Sequence, residues 1–464
     1  MIESHDHERE HFETPLERGF KNVITPFQEF VRDQTTGSIL LILCTVAALG
    51  LANSPFAGNY ETLVETRTGL IFGDWSLTLS VRHWVNDGLM ALFFFVLGLE
   101  IKREILVGEL REPRQSLPVV AAAIGGMLVP AFIFYVLNAG RGMIHGWGIP
   151  MATDTAFAVG VLALLHRHIP PALTTFLTAL AILDDLGAIL VIAVFYTDTL
   201  SLPYLSLAAI LLGALVICNI LGIRRSAVYI VGGGLVWGAM LGSGVHAAVA
   251  GVLVAMTVPA RPRAGPGWFL RRTRHLLDEF QEIEKQSKRP ILGEERQHAV
   301  VEDVQDTAEK ATTPLRRWEH FLEYPVALLV MPVFALTNAG IPVEPGSLPG
   351  LWKDPLTLGI VLGLVLGKGV GITFMSWLAL RLGLGRLPAN MKPGHIAGIG
   401  LLGGMGFTMS IFIAGLSFGN DPDALVAAKT AILLASLIAG VSGYLWLRWY
   451  AGTQGAANPP SRSS

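Results

Sequence analysis

Charge and cysteine are both scarce in this chain. Charged residues fill only 15% of its 464 positions, where a soluble domain carries about a quarter. That shortage excludes an ordinary soluble architecture. There are two cysteines, Cys44 and Cys218, and both sit inside apolar runs. They exclude a disulfide framework or a cysteine metal cluster and read as small buried hydrophobes. An excess of one sign is missing too: 34 Lys and Arg stand against 36 Asp and Glu, a net charge of -2. No basic stripe is interleaved with aromatics, so no nucleic-acid partner is expected. The N-terminus, Met1-Ile-Glu-Ser-His-Asp-His-Glu8, is acidic and no short apolar run follows it. No cleavable signal peptide is expected.

What the chain has instead is apolar sequence: 52% hydrophobic residues and a mean hydropathy of +0.52. The fold class is an all-α polytopic membrane protein, its length taken up by spans. Twelve spans are predicted, at about 36–53, 84–105, 117–138, 149–165, 172–196, 203–221, 226–241, 244–259, 318–338, 356–380, 395–418 and 424–447. They divide the chain into a tail (1–35), a first block (36–259), a charged loop (260–317), a second block (318–450) and a disordered end (451–464). Within the tail, Phe20, Val23, Ile24, Phe27, Phe30 and Val31 recur at helical spacing, as in an interfacial helix, although Pro26 interrupts them. The 57–82 stretch alternates around Gly73-Asp74 and predicts a small extramembrane β-hairpin. An exposed hairpin can pair with its own copy, so it is a candidate homodimer contact. The 260–317 loop mixes both charges with few large apolar residues. It reads as a solvated insertion, partly helical or disordered, without chemistry of its own.

Lys and Arg gather on alternate loops: Lys102, Arg103, Arg111 and Arg114; Arg167; Arg224 and Arg225; the 260–317 loop; Arg381, Arg386 and Lys392; and Arg448. The other side has little beyond Arg67, Arg82, Arg141 and Lys353. The positive-inside rule then places both termini in the cytoplasm and favours an even number of spans.

Four polar features enter the apolar spans. Asp184 and Asp185 stand side by side near the middle of the fifth. A charge at that depth costs a few kcal/mol or more and marks a functional site. Helix neighbours point about 100° apart, so the pair flanks a cavity rather than facing one partner. Thr153 and Asp154 follow Pro150 in a stretch open to unwinding, which is tolerated only inside protein or beside water. Lys368 is central in the tenth span and needs a carboxylate partner. The eleventh carries five glycines in Ala397-Gly-Ile-Gly-Leu-Leu-Gly-Gly-Met-Gly406, which favours a second break. Two broken spans in corresponding positions point to inverted repeats, spans three to five and ten to twelve, with the site at their crossing. Asp154 there would neutralise the facing helix N-termini and Lys368 the C-termini. At the periphery, His246 ends a span, and Glu100, Lys102, Arg103 and Glu104 with Glu319 and His320 would form an ionisable funnel.

Six motifs resemble the NhaA-type sodium/proton antiporters: Ala152-Thr-Asp-Thr-Ala-Phe157, Ala181-Ile-Leu-Asp-Asp-Leu-Gly-Ala188, Val96-Leu-Gly-Leu-Glu-Ile-Lys-Arg-Glu104, Ser243-Gly-Val-His-Ala247, Gly367-Lys368 and Gly404-Met-Gly-Phe-Thr-Met-Ser-Ile-Phe412. The likeness covers roughly 36–259 and 315–450. It implies twelve helices, the fourth and eleventh unwound and crossing in mid-membrane. Asp184 and Asp185 would bind Na⁺, Li⁺ or H⁺, with Asp184 facing Lys368 and with Thr153 and Asp154 lining the crossing. His246, Glu100, Arg103, Glu104, Glu319 and His320 match positions tied to pH response. The hairpin would join a homodimer, and no cofactor is implied. The sequence departs from the pattern at Thr155, where a bulky aliphatic residue is common, and at Gly369, where proline is usual. It also departs in the long 260–317 loop and in the lack of a second histidine after His320. The implied activity is electrogenic, pH-regulated sodium extrusion against inward protons. Two rivals remain: a sodium-coupled organic-anion symporter, for which no Arg or Asn cluster is seen, and an intramembrane aspartyl protease, for which no Gly-x-Gly-Asp motif is present.

Overall fold

The apolar run after Gln34 closes into a helix because lipid offers no partner to a free backbone N–H or C=O. The same constraint repeats along the chain. The structure, a computed structural model, describes residues 34–72, 75–108, 111–165, 168–197, 200–286, 295–342, 350, 352–388 and 391–457. The expected helix at 20–31, the turn Gly73-Asp74 and Arg167 lie outside them.

Helix α1 (Gln34–Ala52) turns by 114° into a short helix α2 (Ala57–Glu65). The sequence reading assigned 57–82 wholly to the hairpin. Tyr60 and Val64, one helical turn apart, are both buried, and the first part of that stretch is helical for this reason. The hairpin itself is present: β1 (Arg67–Phe72) pairs antiparallel with β2 (Trp75–Ser80) in the register Arg67↔Ser80 to Phe72↔Trp75. Arg82 bridges Glu61 and Glu65, each at 3.1 Å, and fixes the base of the hairpin on α2.

A π-helical segment (Trp84–Leu89) leads into α3 (Met90–Val107). Helix α4 (Pro113–Asn138) follows, then a 3₁₀ segment (Ile144–Met151), an extended stretch at 152–154 and α5 (Thr155–Ala163). Next come α6 (Ala172–Phe195), α7 (Leu202–Ile220), α8 (Ser226–Leu241) and α9 (Val249–Thr257). The charged loop folds as two helices, α10 (Pro266–Gln286) and α11 (Glu295–Ala311), which bury Leu276 and Val300. Helix α12 (Pro314–Pro325) continues through a π segment (Val326–Val330) into α13 (Met331–Asn338). Helix α14 (Pro355–Leu362) passes through another (Gly363–Gly367) into α15 (Lys368–Arg381). The chain ends with α16 (Pro393–Leu402), bent by 48° from α17 (Phe407–Phe418), and α18 (Pro422–Ala457). Helix α18 continues past residue 450, where a disordered tail was expected to begin.

The centre is built by close helix contact. Gly125 of α4 faces Gly371 of α15 so closely that a Cβ on either would enter the other's carbonyl oxygen. Gly367 likewise leaves room for the backbone of Pro130. These contacts press α15, and the Lys368 that opens it, against the interior of the bundle. Among the described residues, six helices are long and apolar enough to cross a membrane, or eight if each bent pair counts as one span.

Candidate cation and proton site

The site forms where two interrupted helices meet. The 3₁₀ segment carries Pro150 one residue before its end at Met151, and residues 152–154 are extended before α5 begins. On the other side, the glycine-rich stretch 403–406 separates α16 from α17. Backbone opened this way needs partners, and each break supplies the other. The Asp154 N–H donates to Met405 O at 2.5 Å. Ser410 Oγ of α17 donates to Ile149 O at 2.8 Å.

Asp154 serves both half-helices. Its Oδ1 accepts from Phe157 N–H (3.2 Å), capping α5. Its Oδ2 accepts from the N–H (3.0 Å) and the hydroxyl (2.5 Å) of Thr408, in the first turn of α17. One carboxylate thus neutralises two positive helix ends. Both oxygens accept cap hydrogen bonds, so Asp154 organises the crossing. The sequence assigns Thr408 no role, and its hydroxyl in an apolar run is the one signal it offers.

Asp184, Asp185 and Lys368 are brought together by α6 and α15. Lys368 and Asp184 are fully buried, and Asp185 is 3% exposed. Lys368 Nζ donates to Asp184 Oδ2 at 2.5 Å and to Thr153 Oγ1 at 2.7 Å. Thr153 Oγ1 also lies 2.8 Å from Asp184 Oδ2 and 2.9 Å from Gly403 O. Its single hydrogen can serve only one of those two acceptors at a time. The second oxygens differ: Asp184 Oδ1 and Asp185 Oδ1 are both buried and have no hydrogen-bond partner. A buried carboxylate oxygen left open in this way is available to a hard cation or a proton. Close packing surrounds them: Gly126, near Asp184 Oδ1, makes room for Ile372, and Gly187 makes room for Met127.

The peripheral residues fall into two groups. Arg103 gathers Glu104 (2.6 Å), Glu319 (2.7 Å) and, more distantly, Glu100 (3.9 Å). Arg316 adds a second contact to Glu319 at 3.2 Å. Lys102 leaves the cluster; it donates to Met256 O and Val258 O, each at 2.6 Å, and holds the end of α9. His320 does not join either. It is exposed, and among the described residues its ring faces that of Tyr324, 6.0 Å away. Consecutive helix residues diverge by about 100°, so with Glu319 turned inward His320 must turn out. His246 sits apart, its Nε2 3.2 Å from Asp87 Oδ1 and its ring 5.1 Å from Phe412 of α17. The sequence does not single out Asp87, because an acid at the start of an apolar run is also an ordinary span end.

Comparison with known proteins identifies the family. The chain matches the family model described as Na⁺/H⁺ antiporter 1 over residues 28–447. It is 48% identical over 436 residues to "Na(+)/H(+) antiporter NhaA 1" of Saccharophagus degradans, covering 94% of each chain. It is 46% identical over 434 residues to the protein of the same name from Shewanella denitrificans, covering 94% of this chain and 96% of that one. The Na(+)/H(+) antiporter NhaA of Sulfurimonas denitrificans is 45% identical over 437 residues, with 94% and 98% covered. The chain belongs to the Na⁺/H⁺ antiporter 1 family.

Proposed function

We infer that this protein is a secondary active Na⁺/H⁺ antiporter, a transporter and not an enzyme. The observation that carries the reading is the pair of buried, unpartnered oxygens, Asp184 Oδ1 and Asp185 Oδ1, beside a fully buried Lys368–Asp184 ion pair. Sodium and lithium seek hard oxygen ligands, and these same oxygens accept protons. Binding of one cation therefore displaces the other. Alternating access then converts that competition into exchange across the membrane. Two carboxylates fit an electrogenic cycle with more protons than sodium ions moved, driving sodium out as protons enter. Thr153, held between Lys368, Asp184 and Gly403, adds a hydroxyl oxygen.

We propose twelve spans with inverted repeats. The eight that pass by length and composition are joined by four that fail for local reasons. One is Trp84 to Val107, whose end carries four charges. A second is the broken stretch through 152–154. The third is the 16-residue α8, and the fourth is the nine-residue α9 behind its turn. The matching breaks at 152–154 and 403–406 support the repeat. The basic loops support a bacterial inner-membrane location with both termini cytoplasmic. We assign pH response to the Arg103–Glu104–Glu319–Glu100 cluster and the His246–Asp87 pair, and a homodimer contact to the hairpin. The protease reading loses its second carboxylate, because Asp154 is engaged in capping.

The test is reconstitution into vesicles with a trapped pH-sensitive dye and no organic solute. Addition of Na⁺ or Li⁺ to acid-interior vesicles is expected to collapse the pH gradient. A collapse requiring an organic anion would replace this reading with symport.

A further inference from the structure

Between α15 and α16 runs an apolar groove of about 450 Å³. Gly369, Val370, Phe374, Trp377 and Leu380 line it from α15, and Ile396 from α16. Val370, Phe374 and Trp377 are 59%, 52% and 42% exposed, so the groove opens sideways to lipid. From Gly369 to Leu380 it extends about 16 Å at the helical rise, about half the thickness of a hydrocarbon core. Its deep end is open because residue 369 is a glycine. A Cβ there would lie 3.3 Å from Leu401 Cδ2.

The shallow end is basic. Arg381 lies over the Trp377 ring, 5.0 Å from its centre. Arg386 and Lys392 follow in the loop to α16, and all three are exposed. Residues 382–392 contain no Asp or Glu. Arg381 adjoins the lining residue Leu380 and Lys392 adjoins the lining residue Pro393, with Arg386 in the loop between them; cations beside an acyl-length apolar channel match an anionic lipid headgroup, not a neutral one. A guanidinium held on an aromatic face also keeps its donor edge available to a phosphate.

We propose that this groove is a binding site for an anionic phospholipid. One acyl chain lies along Val370, Phe374 and Trp377, and the phosphate meets Arg381, Arg386 and Lys392. The chain's end reaches the Gly369 turn, next in sequence to Lys368, so the lipid braces the helix that carries the buried lysine.

The test uses the full-length protein in phosphatidylcholine vesicles containing brominated phosphatidylglycerol or an equal fraction of brominated phosphatidylcholine. The chain has ten tryptophans, so Trp377 is read as the difference between the wild type and Trp377→Phe. Trp377 is expected to reach half-quenching at an about fivefold lower fraction of the anionic lipid. The triple change Arg381→Gln, Arg386→Gln, Lys392→Gln should remove that preference. Val370→Phe keeps every charge, faces lipid and fills the groove, and should remove it as well. Equal quenching by the two lipids in the wild type would overturn the proposal. So would a preference that survives the triple change. A preference that survives Val370→Phe would reduce the effect to diffuse surface attraction and overturn the groove as its seat. None of these readouts depends on transport.

Discussion

Thr153 Oγ1 stands among three partners, accepting from Lys368 and facing both Asp184 Oδ2 and Gly403 O. It couples the ion pair on α6 and α15 to the end of α16. Lys368 is fully buried, so its removal leaves Asp184 without a counter-charge. Lys368→Ala is expected to lower stability by about 3–5 kcal/mol, as for other broken buried pairs, measured by thermal unfolding of the purified protein. Asp184→Asn combined with Lys368→Met should recover much of that loss and still fail to transport. Normal stability in Lys368→Ala would make the pair structurally unimportant. The charges at this site were legible in the sequence because lipid penalises each of them: Asp184, Asp185 and Lys368 had to find one another. Asp87, at the start of an apolar run, pairs with His246.

At the scale of elements, the crossing is held by caps and by small residues. Asp154 stitches α5 to α17 through Phe157 and Thr408. Thr408→Val removes one of its donors and should destabilise the protein by about 1–3 kcal/mol, read by the same melting measurement. An unchanged melting temperature would contradict the double-cap role. Gly371→Ala pushes a methyl group into the carbonyl of Gly125 and should cost about 1–3 kcal/mol, or force α4 and α15 apart. The sequence showed that breaks exist, through Pro150 and the glycines at 403–406. It did not show that one carboxylate caps both half-helices, because residues 154 and 408 meet only in the folded chain. Helix phase was the other blind spot: Glu319 and His320 were read as one group, yet only Glu319 faces Arg103. The helix Ala57–Glu65 was missed because Tyr60 and Val64, the two buried positions, are only two points of a pattern.

At the scale of the molecule, the parts outside the bundle separate from the transport core. The α10–α11 insertion closes on itself. The N–H groups of Arg263 and Ala264 both donate to Lys310 O at 3.0 Å, so the chain leaves beside where it entered. Replacing residues 266–308 with a short Gly-Ser turn should leave sodium-driven proton movement within about twofold of wild type, since loop length changes closure entropy only weakly. A loss of transport in a protein that still folds would give the insertion a role in the cycle. Removal of the Arg67–Ser80 hairpin should produce monomers by light scattering with transport retained; dimers that persist would place the contact elsewhere. The account as a whole rests on Asp184 and Asp185 as a shared seat for sodium and protons. The most direct measurement is sodium-driven proton movement by Asp185→Asn and Asp184→Asn in dye-loaded vesicles, beside wild type at matched protein content. The account predicts that each variant loses the movement while remaining folded and inserted. Full movement in Asp185→Asn would contradict it.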